Sequence, residues 1–108
     1  MIKLPIKGWP ADVLDPLVDM ISEVVEEDQI DEFYIGRTND LVATRSRHRA
    51  DEVHSLYQTD SADNAIDVED KLIKTFKDHP KCSNDSEHGG GGASDDFVNY
   101  VYLAVWYK

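Results

Sequence analysis

Cysteine is almost missing from this chain: Cys82 stands alone among 108 residues. No internal disulfide can close, so nothing in the sequence asks for an oxidising compartment. Long apolar runs are missing as well. None approaches the roughly 20 residues of a membrane-spanning helix, and the opening MIKLPIKGWP holds no apolar stretch of the signal-peptide kind. A soluble, cytoplasmic protein without a membrane partner is expected. Positive charge is scarce: 11 Lys and Arg face 22 Asp and Glu, for a net charge of −11. Of those acids 15 are Asp, and only 7 residues are Lys. A surface of short carboxylates suits concentrated salt, where self-repulsion is screened within a few ångströms. Over the whole chain that charge argues against a polyanionic partner, so the placement of the few cations decides.

What is present suffices for a fold. Hydrophobic residues make up 41% of the chain, with 3 Phe, 2 Trp and 5 Tyr, which separates it from disordered acidic tails. The length fits one domain spanning residues 1–108. Nine acids and no Lys or Arg occupy Ala11 to Glu32, whereas Arg37 to Arg49 holds four Arg and His48 against one acid, Asp40. The acidic stretch, 11–32, reads as a helix: Asp15 is its N-cap, Pro16 its first residue, and Leu17, Val18, Ile21, Val24 and Val25 are its buried stripe. Its end, Glu26-Glu27-Asp28, opposes the helix dipole.

Glu32-Phe33-Tyr34-Ile35-Gly36 then reads as a strand. Thr38, Asn39 and Asp40 offer caps for a basic helix from Leu41 to about Ala50, followed by a strand over Val53–Thr59. Asp60 or Ser61 caps a helix from about Ala62 to Lys77, which Pro80 stops. Residues 81–96 form a Gly-rich loop, and Phe97–Tyr107 is apolar enough to be a central strand. The order α-β-α-β-α-β predicts an α/β (α+β) fold, a small three-stranded mixed sheet flanked by about three helices.

One carboxylate sits where the pattern forbids it. Wound at 100° per residue, the helix Ala62–Lys77 gathers Ala62, Ala65, Ile66, Leu72, Ile73 and Phe76 on a face about 120° wide. Glu69 falls in the middle of that face, while the other charges lie outside it. A buried carboxylate must be paired, hydrogen-bonded, protonated or bound to a cation. Two readings follow: a structural ion pair with one of the arginines, or a functional carboxylate pointing into a site. The basic group Arg37, Arg45, Arg47, His48 and Arg49 is a solvated face by default, but with Glu69 it supplies what a phosphate and a divalent cation together require.

Tyr34-Ile35-Gly36 on a strand, Thr38-Asn39-Asp40-Leu41 opening a basic helix that reaches His48, and Glu69-Asp70-Lys71-Leu72-Ile73 in a later helix resemble the GIY-YIG nuclease superfamily. The resemblance covers Phe33 to about Asn84 and rests on the combined spacing. It implies a small mixed α/β domain that cuts DNA phosphodiesters with one divalent metal, Mg²⁺ or Mn²⁺. On that resemblance Tyr34 would help deprotonate or orient the attacking water, and Gly36 would let the backbone approach the phosphate. His48 would activate a tyrosine or water, Glu69 would be the single protein ligand of the metal, and Arg37 or Arg45 would meet the phosphate. Asn84 would match a late asparagine near the metal. Two departures are visible. Thr44 stands where the helix arginine belongs, with Arg45 next to it, and no Gly-Ile-Tyr precedes Tyr34, because Val24 to Asp31 is helix end and acidic loop. A closing strand beside Phe33–Gly36 would repair the second departure. Tyr100 and Tyr102 share a face of it, and Tyr102 is the chosen replacement, with core packing of both as the alternative.

Other signals are weaker. His79, Cys82 and His88 fall short of the four ligands of a structural zinc site, and Gly89–Gly92 neither follow a strand nor open a helix as phosphate-binding glycines do. The leading expectation is therefore a metal-dependent nuclease-like domain acting on DNA, borrowing specificity from a protein partner. Its alternatives are an inactive scaffold of the same fold that binds protein or nucleic acid, and a structural role for a Glu69–Arg pair.

Overall fold

The computed structural model describes residues 4–84 and 97–108. Six elements alternate along the chain: α1 (Pro10–Val25), β1 (Ile30–Thr38), α2 (Leu41–His48), β2 (Glu52–Thr59), α3 (Ala62–Phe76) and β3 (Asn99–Tyr107). The sheet order is β1-β3-β2, so the most apolar strand lies in the middle, as its composition predicts. Both pairings are antiparallel, where a mixed sheet was expected. Among the described residues, parallel pairing is confined to single bridges at the two edges, Ile6 with Tyr57 and Phe33 with Cys82. No helix among the described residues is long and apolar enough to cross a membrane.

Alternation along β3 separates two layers. Val101, Leu103 and Val105 join Phe33 and Ile35 of β1 in the main core, beneath α1 and α3. Tyr102 and Ala104 face the other way, into a smaller cluster with Ala50, Tyr34, Leu41, Val53 and Trp106 that α2 covers. A bulge in β2 between Ser55 and Tyr57 returns Tyr57 to the main core, where its hydroxyl donates to the Gly8 carbonyl at 2.6 Å.

α1 begins earlier than Asp15 and Pro16 suggest. Trp9 is its N-cap, Pro10 opens it, and Pro16 lies inside. A proline in a helix interior costs about 3 kcal/mol. Val13, Leu17, Ile21 and Val25 are fully or nearly fully buried along one stripe, and each contributes about 1.5–3 kcal/mol, so packing outweighs the local penalty. The acidic end of α1 is answered from outside the helix: the Lys81 ammonium donates to the carbonyls of Val25 (2.7 Å) and Glu27 (3.0 Å). α2 is capped by Asp40, whose carboxylate accepts from Ala43 N at 3.0 Å, and ends at Arg49 in the left-handed conformation (φ 53°). α3 is capped by Ser61, which accepts from Asn64 N. Its buried face is Ala65, Val68, Glu69, Leu72, Ile73 and Phe76. Glu69 is thus buried where the pattern puts it, and Val68 takes the place given to Ala62 and Ile66.

Candidate active site

The site is built around the middle of β1. Tyr34 and Gly36 point to the α2 side of the sheet, and β3 places Tyr102 directly opposite Gly36. α2 lies over this row with Thr44 buried, donating to the carbonyl of its own N-cap Asp40 and contacting the Thr38 hydroxyl at the end of β1, both at 2.8 Å. Thr44, in the position of the expected arginine, therefore anchors the helix. That anchoring aims His48, one turn later, at the sheet. Its Nε2 lies 2.9 Å from the Tyr102 hydroxyl, and its ring is 4.9 Å from the Tyr34 ring and 6.2 Å from that of Trp106. Tyr34 and Tyr102 stand 6.3 Å apart, centre to centre.

Burial, then the charge of Arg47, lowers the His48 pKa below its usual 6.5, so the imidazole is neutral at pH 7. Burial, reinforced by Tyr34, pushes Tyr102 up to about 12 despite the opposing pull of Arg47. The pair is then a phenol that holds its proton beside a neutral imidazole able to accept one.

Arg37 and Glu69 meet on the opposite side of the sheet. Arg37 leaves β1 next to Val101, toward α3, and one guanidinium nitrogen donates to Glu69 Oε1. Glu69 is completely buried, and its Oε2 has no hydrogen-bond partner among the described residues. Burial raises the Glu69 carboxyl above the usual carboxylate range, with the Arg37 charge pulling it back.

The expected residues therefore form two groups on two faces. Alternation is the reason: Gly36 and Arg37 are consecutive in a strand, so they project oppositely. The groups adjoin at that step. A Cβ on Gly36 would lie 2.5 Å from the Tyr102 hydroxyl oxygen, so the tyrosine reaches over β1 through the space glycine leaves. The Glu69 charge is near enough to add to the upward shift of Tyr102.

Two other expected residues are used differently. Arg45 turns away from the tyrosines, donating to the Asp51 carbonyl at 3.2 Å and lining an open groove with Leu41, Val42 and Val53. Arg47, exposed and two residues on, is the arginine whose charge reaches both His48 and Tyr102. Sequence reasoning placed it in the basic group without singling it out, although Arg47 directly precedes His48. The Asn84 side chain is taken up by β1: its Oδ1 accepts from Ile35 N (3.0 Å) and its Nδ2 donates to Ile35 O (2.8 Å). It extends the sheet edge, with both ends of its amide engaged by Ile35. Tyr100 lies opposite Thr38, one pair beyond the cluster.

No group of three or more His, Cys, Asp or Glu side chains converges among the described residues. His88 and Gly89–Gly92 lie outside the described residues. A single-carboxylate cation site nevertheless fits Glu69: its orphaned Oε2 is a hard oxygen donor, and Mg²⁺ is commonly held by one or two carboxylates with waters and substrate phosphate completing its shell. Comparison of the chain with protein-family models, with curated proteins and with solved structures gave no match.

Proposed function

We propose that this chain is a metal-dependent nuclease-like domain that hydrolyses DNA phosphodiesters at the Gly36–Arg37 step of β1. The observation that carries the reading is the position of Tyr102. The C-terminal strand lies beside Tyr34-Ile35-Gly36 and brings a second tyrosine within hydrogen-bonding distance of His48. Glu69, with its unpartnered oxygen, would hold Mg²⁺ or Mn²⁺. When bound, such a cation neutralises charge developing on the phosphoryl oxygens.

The remaining chemistry belongs to the chain's own residues. Tyr34 and the Tyr102 hydroxyl orient a water against the phosphorus. As the water oxygen forms its bond, its proton passes through the Tyr102 hydroxyl to neutral His48, the P–O bond to the leaving oxygen breaks, and solvent protonates that oxygen. Arg37 and exposed Arg47 meet phosphate oxygens. The lone cysteine is in keeping with a cytoplasmic setting, and target selection falls to a protein partner.

One observation favours the scaffold reading: Arg37 already gives the Glu69 carboxylate a charged partner without any cation. Plasmid nicking with Mg²⁺ and with Mn²⁺, by wild type and Tyr102→Phe, separates the two. The nuclease reading expects nicking that falls about 10²-fold or more when the hydroxyl is removed; equal rates would take Tyr102 out of the chemistry.

A further inference from the structure

The Arg37–Glu69 contact is built unlike a structural ion pair. A buried pair is stabilising only when its remaining N–H groups and lone pairs are also hydrogen-bonded. Here Arg37 Nε and Glu69 Oε2 are both buried without a hydrogen-bond partner among the described residues. The leftover groups are of opposite kinds, a donor suited to an anion and an oxygen suited to a cation. Exposure is unequal as well: Arg37 keeps 12% of its side-chain exposure and Glu69 1%. The guanidinium is the outer, more exposed member of the pair, and the carboxylate has almost no exposure of its own.

We propose that Arg37 is a resident counter-ion that a metal and a phosphate displace together: the cation takes Glu69, the phosphate takes Arg37, and the two ligands bind cooperatively. This rests on the phosphodiester reading above and adds a positioning role for Arg37. A cation alone would leave a largely buried guanidinium unpaired. Phosphate alone would do the same to a fully buried carboxylate, and each event is penalised by an uncompensated charge. Arriving together, the ligands give both charges new partners, and the guanidinium fork matches phosphate oxygens better than the single contact it leaves. The coupling is reciprocal, so phosphate must tighten the cation by the factor by which the cation tightens phosphate. A free metal ion then does not activate the site; the metal–phosphate combination does.

Mn²⁺ binding followed by electron paramagnetic resonance in molar KCl, with dimethyl phosphate as the phosphodiester probe, tests this on wild type, Arg37→Gln and Glu69→Gln. In wild type the probe is expected to tighten the Glu69-dependent Mn²⁺ site about tenfold. In Arg37→Gln, Mn²⁺ binds tightly without the probe and gains nothing from it, and in Glu69→Gln the site is lost. Should Arg37→Gln not fold, Arg37→Lys and the wild-type titration decide, since weakened coupling is expected when the fork is lost. The same Mn²⁺ affinity in wild type with and without the probe overturns the exchange while leaving Glu69 a metal ligand and the nuclease reading intact. Folded wild type with no Glu69-dependent Mn²⁺ site, with or without the probe, removes both.

Discussion

Gly36 matters for the atoms it lacks. An added Cβ would lie 2.5 Å from the Tyr102 oxygen, 2.7 Å from its Cζ and 2.9 Å from Tyr34 Cε1, so the tyrosine rings would have to shift to admit it. Gly36→Ala is predicted to lower stability by about 1–3 kcal/mol, read from urea unfolding, and to reduce nicking by displacing Tyr102 from His48. His48 gives a pH signature. Its folded-state pKa lies below 6.5, so the unfolded chain takes up a proton that the folded chain resists. The resulting stability is present above pH 6.5 and is lost as pH falls through the folded value. The thermal midpoint of wild type should therefore fall more steeply below pH 6.5 than that of His48→Asn; parallel curves would contradict a neutral, half-buried imidazole.

The elements show which parts of this fold were legible. Glu69 could be found because α3 sorts its polarity cleanly everywhere else, and Tyr102 because an apolar closing strand had to be central and so had to lie beside β1. The start of α1 was misread because Asp15-Pro16 carries the stronger local signal, whereas burial of Val13, a tertiary effect, extends the helix back to Pro10. The division of the site between two faces was hidden for a similar reason: alternation fixes that Gly36 and Arg37 diverge, but only the placement of α2 and α3 tells which side each helix covers. Likewise Arg45 and Arg47 differ in sequence by two positions and in structure by the direction they face. The Lys81 cap was invisible because it joins residues 56 apart. It is predicted to matter to α1: Lys81→Met should cost about 1 kcal/mol in urea unfolding, since the carbonyls of Val25 and Glu27 then lose a charged donor and the acidic end loses its counter-charge.

At the scale of the molecule, a net charge of −11 stands against the polyanionic substrate that the proposed function requires. The conflict is resolved by segregation. Arg45, Arg47 and Arg49 are exposed on or just after α2, and Arg37 lies in the strand before it, so the arginines cluster in the β1–α2 segment, with Arg47 acting on His48 and Tyr102, while α1 carries acids on its exposed surface. Self-repulsion among the acids weakens the fold at low ionic strength, and salt relieves it at separations beyond the Debye length, about 3 Å at 1 M. Activity must therefore be sought where the protein is folded. The most direct test is plasmid nicking with Mn²⁺ in molar KCl by wild type and Glu69→Gln side by side, with circular dichroism on both. Glutamine keeps an acceptor for Arg37 while removing the charge a cation needs. Nicking by wild type that is lost in a folded Glu69→Gln is the predicted result; undiminished nicking by Glu69→Gln, or none by folded wild type, would contradict the account.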